Sequence, residues 1–151
     1  MRKKNDREHQ EQCIVIAFCE LNKEKYPCLD MIYAIPNMGK HHIYFRLKQA
    51  AEGLKKGMLD LCLPFPVLHD KLPFTKLYIK CGLYIEMKIK PNKPNSFQKK
   101  WIDYFISVGY DAHVAYSYQQ AIELIKNYIN PDERDWVYPY SYEHIKSANV
   151  N

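Results

Sequence analysis

Apolar residues recur in two rhythms along this chain, and the change of rhythm marks its elements. Residues 8–22 (EHQEQCIVIAFCELN) start polar and turn apolar through Cys13–Phe18, which predicts a first helix. Residues 45–55 (FRLKQAAEGLK) predict a second, with Ala50, Ala51 and Leu54 for packing and an end near Gly57. In residues 97–108 (FQKKWIDYFISV), Phe97, Trp101, Tyr104, Phe105 and Val108 recur at helical spacing. Ser96 stands ready as N-cap and Gly109 as the closing residue. A last helix is predicted over 118–129 (YQQAIELIKNYI), capped by Ser117.

The second rhythm alternates. MIYAIPN (31–37) predicts a short strand stopped by Pro36, which has no ladder donor. LDLCLP (59–64) sets Leu59, Leu61 and Leu63 on one face and Asp60 and Cys62 on the other. GLYIEMKIK (82–90) sets Leu83, Ile85, Met87 and Ile89 against Glu86 and Lys88, and DAHVAY (111–116) is a further strand. Between them, residues 64–80 carry Pro64, Pro66 and Pro73 and lengthen the link between two paired strands, with Leu77–Lys80 leading into the next one. The PNKPN loop (91–95) is too rich in proline for regular structure. No repeat or internal linker interrupts the pattern, so one α/β domain is expected over residues 1–130. The aromatic and polar tail, 131–151, is expected to pack on the core or at a dimer interface.

Composition changes this picture little. A chain of 151 residues suffices for one buried core. Its formal net charge of +5 and pI near 8.8 favour anionic partners, nucleic acid among them. No apolar run reaches the roughly 18 residues of a membrane span. The basic N-terminus MRKKNDREHQEQ leads into a charged helix rather than an apolar signal core, so a cytoplasmic protein is expected. Five cysteines (Cys13, Cys19, Cys28, Cys62, Cys81) make an odd set without a C-x-x-C pair, and are expected to be buried free thiols.

The candidate chemistry lies in the alternating strands. Glu86 and Lys88 point the same way, and two readings are open. They form a weak ion pair on a solvated strand face, or a metal-binding carboxylate beside a catalytic ammonium. If the strands of Asp60 and Glu86 pair, both carboxylates can reach one divalent cation. Hard oxygen ligands suit Mg²⁺ or Mn²⁺, which keep waters and bind phosphate oxygens. Such a cation polarises a scissile phosphate, and Lys88 would orient the attacking water or stabilise developing charge. Gln98 either bonds the metal water or Lys88, or faces solvent in a first helical turn. Glu8 and Glu11 are each an outer carboxylate or a favourable charge at a helix N-terminus. Cys62 shares Asp60's side of its strand as filler.

Three segments in this order, YAIPNMGKHH, LKKGMLDLCLP and GLYIEMKIKPNKPNSFQKKWIDYFISVGYDAHVAYS, closely resemble the virus-type replication-repair nuclease domain, VRR-NUC, over about residues 8–128. The resemblance implies a restriction-endonuclease-like core of the PD-(D/E)xK superfamily, a central mixed β-sheet flanked by helices. Asp60 matches the aspartate of the G-x-x-D segment that starts at Gly57. Glu86 and Lys88 match the E-x-K, Gln98 the glutamine that follows, and Glu8 the helix-one glutamate. These are the implied catalytic residues. Asp60, Glu86 and the backbone carbonyl of Met87 are the implied ligands of Mg²⁺ or Mn²⁺. Leu59 stands where the family often has proline, and the 64–80 excursion is longer than the family needs.

Stand-alone relatives of the phage and bacterial type resemble homodimers that cleave four-way junctions. The expected function is thus a metal-dependent endonuclease for branched DNA, a Holliday-junction resolvase of replication, recombination or repair. The alternative is a non-catalytic nucleic-acid-binding module that keeps the fold. Lys40, His41, His42, Arg46, Lys55 and Lys56 before the site, and Lys90, Lys93, Lys99 and Lys100 after it, are expected to neutralise phosphates without reading bases. Aromatics in DWVYPYSYEHI (135–145), with Tyr26, Tyr33 and Tyr44, either line a dimer interface or cover the domain's own core.

Overall fold

The computed structural model describes residues 4–37, 43–69 and 78–129. Helix α1 (Lys4–Asn22) leads through a short 3-10 helix (Pro27–Met31) to strand β1 (Tyr33–Ala34) and helix α2 (Ile43–Ala51). Strands β2 (Leu61–Leu63), β3 (Val67–His69), β4 (Tyr78–Lys80) and β5 (Leu83–Met87) follow, then α3 (Ser96–Ser107), β6 (Asp111–Ala115) and α4 (Tyr118–Ile129). Four strands form one mixed sheet in the order β1-β2-β5-β6, antiparallel except for the parallel β5–β6 pair. A parallel neighbour cannot be reached by a hairpin, and α3 is the crossover that this pairing demands. The result is an α/β fold with a mixed central sheet flanked by helices, as expected.

Alternation along β5 fills both sides of this sheet. Leu83, Ile85 and Met87 join Val15, Phe18 and Cys19 of α1 and Ala121, Ile122 and Ile125 of α4 in the main core. Tyr84 points the other way, towards Phe105, Trp101 and Ile102 of α3. Both faces are therefore covered. The polar side of β5 is not a solvated face, and the reading of Glu86 and Lys88 as a water-exposed ion pair does not survive: Glu86 is 0% exposed.

The long α4 matches its predicted bounds, and Ser117 caps it by accepting from the Gln120 N–H at 3.3 Å. Other expectations shift for local reasons. The N-cap of α3 is Asn95, not Ser96. Its side chain accepts from the N–H groups of Phe97 and Gln98, and Gln98 reaches back to the Asn95 N–H, a complete capping box. Gly109, at φ +91°, turns the chain out of α3 in the left-handed region that favours glycine. Leu59 does not share a face with Leu61 and Leu63. The chain bends at Asp60, and Leu59 packs with Phe105 and Ala112 beneath α3.

The strand expected over 31–37 shrinks to two residues because the 3-10 helix takes Met31. Helix α2 starts and ends earlier than 45–55, and none of its residues is buried. Ala50 and Ala51, expected to pack, are exposed. The 64–80 excursion holds the antiparallel β3–β4 pair, a separate two-stranded sheet anchored where the Tyr128 hydroxyl donates to the Phe65 carbonyl at 2.7 Å. The tail 131–151 lies outside the described residues, and among those described no helix is long and apolar enough to cross a membrane.

Candidate active site

The β2–β5 register pairs Leu61 with Ile85, and the Asp60 N–H continues the ladder by donating to the Ile85 carbonyl at 3.1 Å. The pairing thus brings Asp60 level with Glu86 on the α3 side of the sheet. One Asp60 carboxylate oxygen accepts from the Met87 N–H at 2.8 Å, the other from the Asn37 side-chain amide at 2.9 Å. The bend before β2 and the end of β5 are locked together through this one carboxylate.

Glu86 is the most buried group of the site. Its Oε1 accepts from both the Lys88 ammonium and the Gln98 side-chain amide, while Oε2 is buried without a partner. Lys88 also donates to the Met87 carbonyl at 3.0 Å, and its N–H holds the Ala115 carbonyl of β6 at 2.8 Å. Its stem is packed, with only 12% of the side chain exposed, so the ammonium is aimed inward rather than at solvent. The capping box fixes Gln98. The Asn95 N–H donates to Gln98 Oε1 at 2.9 Å, which turns the amide nitrogen towards Glu86. Gln98 is 8% exposed, and the solvent-facing reading of this residue is corrected accordingly.

The two helix-one glutamates separate cleanly. Glu11 accepts from the Tyr118 N–H at 2.6 Å, satisfying the first turn of α4. Glu8 instead reaches the loop after β5, accepting from the Ile89 N–H and the Asn92 side chain, both at 3.4 Å. Its negative charge contributes to raising the carboxyl pKa values of Asp60 and Glu86. Asp60, Glu86, Lys88 and Gln98 are thus gathered, Glu8 stands at their edge on the loop after β5, and Glu11 is committed elsewhere.

Burial dominates the electrostatics. It pushes the Glu86 carboxyl from the usual 4.5 up to about 8, with the Asp60 charge adding to the rise and Lys88 opposing it. Asp60 is also raised by burial, against the Met87 N–H bond and the Lys88 charge. Two carboxylates held side by side in a desolvated place call for more positive charge than one lysine supplies. Glu86 Oε2 is buried with no donor bonded to it, and the Glu86 side chain is close enough to Asp60 for a hydrogen bond between the two carboxyls. Among the described residues no group of three or more His, Cys, Asp or Glu gathers at metal-binding spacing. The donor set is instead two carboxylates and the Met87 carbonyl, few and hard, which suits a cation that keeps several waters. These residues fit Mg²⁺ or Mn²⁺.

Several residues support the site in ways that the sequence did not assign to them. Asn37 orients Asp60, Asn92 orients Glu8, and Asn95 orients Gln98. Gly57 has φ +69°, and a Cβ there would stand 2.5 Å from Phe97 Cβ and 3.3 Å from the Gln98 N–H nitrogen. Glycine is needed because the turn before Asp60 rests directly on the start of α3. The Trp101 indole N–H pins the same turn by donating to the Lys56 carbonyl at 3.2 Å. The signal for Asn37 lay in the IPN tripeptide, and that for Gly57 in the G-x-x-D spacing. Nothing local marks Asn92.

Arg46, Lys55, Lys56, Lys90, Lys93, Lys99 and Lys100 are exposed, while Lys40, His41 and His42 lie outside the described residues. The five cysteines are free, but only Cys19 and Cys62 are buried. Cys81 is exposed, contrary to expectation. Tyr26 packs on the main core, whereas Tyr33 and Tyr44 are exposed, and residues 135–145 lie outside the described residues.

Comparison with known proteins gives two matches of interest. The sequence model of the VRR-NUC domain matches residues 2–119. Among solved structures, the chain is similar to one described as a VRR-NUC domain protein, at 23% identity with a TM-score of 0.59. The alignment covers 86% of this chain and 96% of that one, and at this identity the likeness concerns the fold. No curated protein matches the chain.

Proposed function

Because the chain belongs to the VRR-NUC domain family, whose fold is of the nuclease type, we propose that it is a metal-dependent endonuclease that hydrolyses phosphodiester bonds in DNA. One observation carries this reading. A glutamate with no exposed surface and one orphaned oxygen is held opposite an aspartate and beside a lysine. A module that only bound nucleic acid would keep its charges at the surface, where they cost little. Burying two carboxylates together costs stability and is useful when something positive is bound between them.

Asp60, Glu86 and the Met87 carbonyl would hold Mg²⁺ or Mn²⁺. Bound there, the cation supplies Lewis acidity to a phosphate oxygen and makes a water more acidic. The chain's own residues do the rest. The Lys88 ammonium, bonded to Glu86 and the Met87 carbonyl, would orient the attacking water and offset the charge that grows on phosphorus. Gln98 holds Glu86 Oε1 and so leaves Oε2 for the metal. Glu8 adds negative charge at the outer edge, which strengthens cation binding. The exposed lysines on both sides of the site would take up neighbouring phosphates, giving salt-dependent binding with little sequence preference.

The preferred substrate is branched DNA, with a four-way junction cut by a homodimer as the specific case. Two-fold assemblies are the commonest soluble oligomers, and the exposed Tyr33 and Tyr44 supply the kind of aromatic surface that interfaces favour. Labelled four-way and linear substrates cut in parallel, with light scattering at the same protein concentration, test both parts. Faster cutting of the junction by a dimer is expected. Equal rates on both substrates would remove the junction preference, and a monomer would remove the dimer.

A further inference from the structure

The start of α3 carries an aromatic residue whose ring neither the core nor the chemistry so far uses. Phe97 is 44% exposed although the Lys56 ammonium already lies over its ring, 4.2 Å from the centroid. A ring placed for packing would be covered, and a ring tolerated by chance would not be braced. Phe97 is held at its Cβ and over one face of its ring. Gly57 rests against its Cβ, and the Trp101 indole N–H ties the Lys56 carbonyl to α3. The stripe continues one and two turns on through Lys100, half-buried Trp101 and Tyr104, which is 54% exposed.

The two halves of this platform are also next to the site along the chain. Gln98, which bonds Glu86, is the residue after Phe97, and Asp60 comes three residues after Gly57. The platform therefore borders the residues that would hold the scissile phosphate. An aromatic ring with an ammonium over one face and 44% of the residue still exposed suits a nucleobase, whose π-face stacks on the other face while the attached phosphate meets the lysine at the ring edge. Inside a duplex the base faces are already stacked and out of reach. They become available only at a branch, a flap or an unpaired stretch.

We infer that Phe97, with Lys56, is a stacking site for one unpaired nucleobase of the DNA substrate, immediately beside the position of cleavage. The inference rests on the nuclease reading and gives it a source of branch selectivity inside a single protomer. It predicts that the substrate offers an unstacked base at the branch point, and that the ring reads this feature without reading the base's identity.

The test uses 2-aminopurine at the branch point of a labelled substrate, with binding followed in Ca²⁺ or EDTA so that chemistry is not required. The full chain should quench or shift the probe's fluorescence on binding. Phe97→Leu, which keeps apolar bulk but removes the ring, should lose this signal. It should also reduce the preference for the branched substrate over a blunt duplex by about tenfold. Phe97→Trp should keep both, and unchanged circular dichroism and melting would show that each variant is folded. A quench retained in Phe97→Leu overturns the inference, as does equal weakening on branched and blunt substrates. A shift of Phe97→Leu from dimer to monomer also overturns it, since a second copy would then be what covers the ring. Failure of the nuclease reading would look different: no DNA cut in Mg²⁺, with the fluorescence signal intact and still dependent on Phe97.

Discussion

The two faces of the central sheet are built from the same strand and obey opposite rules. Towards α1 and α4, β5 presents Leu83, Ile85 and Met87 to Val15, Phe18, Ile122 and Ile125, and every one of these is 2% exposed or less. Towards α3 it presents Tyr84 and then Glu86. Tyr84 stacks on Phe105 with ring centroids 3.8 Å apart, and Trp101 and Tyr110 complete the ring cluster. Beyond these rings, the carboxylates of Asp60 and Glu86 share a desolvated place with one lysine. The aliphatic face supplies cohesion through burial alone. The α3 face gives up part of that stability to hold charged groups where water cannot screen them, which is where electrostatic chemistry is strongest.

The comparison can be broken from either side, and the aliphatic side should give the larger stability effect. Ile125→Ala leaves a cavity between α4 and the sheet and is expected to cost about 2–5 kcal/mol of stability, measured by denaturant unfolding. Its cleavage rate per folded molecule should stay within about twofold of the parent. Lys88→Ala should do the reverse. If Lys88 acts in the chemical step, removal of the ammonium beside Glu86 is expected to lower the cleavage rate by about a hundredfold, or about 2.7 kcal/mol. DNA binding in filter or anisotropy assays should change little. If binding were the main loss, Lys88 would belong to the phosphate-contacting rim instead.

Gln98→Ala should give a smaller defect of about tenfold in rate, since it orients Glu86 and would not itself ligate the metal. Restoring the rate with extra Mg²⁺ would show that its contribution is to metal affinity.

The smallest effect concerns pH in the presence of a chelator. The Glu86 carboxyl is raised from 4.5 to about 8 in the fold. The fold therefore favours its protonated form, and that stabilisation is complete below about pH 4.5 and lost as pH rises through about 8. Glu86→Gln stays neutral throughout. Its melting temperature should match that of the parent in acid and exceed it increasingly as pH rises, by a few degrees. Parallel melting curves across this range would mean that Glu86 is not strained by its burial.

How much of this was legible in the sequence depended on how local the cause was. Helix α4 could be read to its ends because its buried Ala121, Ile122, Ile125 and Tyr128 follow the helical period and Ser117 caps it. Helix α2 could not, because it has no buried face to set the period. Leu59 was assigned the wrong side because alternation was carried through Asp60, where a bend resets it. That Asp60, Glu86 and Lys88 would come together was readable as residue types at a spacing on two strands that pair in the expected way. That Glu86 is buried was not readable. Its cover is α3, brought over the sheet by the parallel crossover, and no alternation pattern distinguishes a polar residue under a helix from one under water. Likewise, Glu8 and Glu11 look alike until α4 returns to claim Glu11 through the Tyr118 N–H.

The central claim is that the carboxylates beneath α3 hold a divalent cation that supports phosphodiester cleavage. Its most direct test is cleavage of a labelled branched DNA by the full chain and by Asp60→Ala, each in Mg²⁺, in Mn²⁺ and in excess EDTA. The parent should cut only with metal, and Asp60→Ala should fall by at least about a thousandfold while retaining its fold and its DNA binding. Undiminished cutting in EDTA, or by Asp60→Ala in Mg²⁺, would contradict the account.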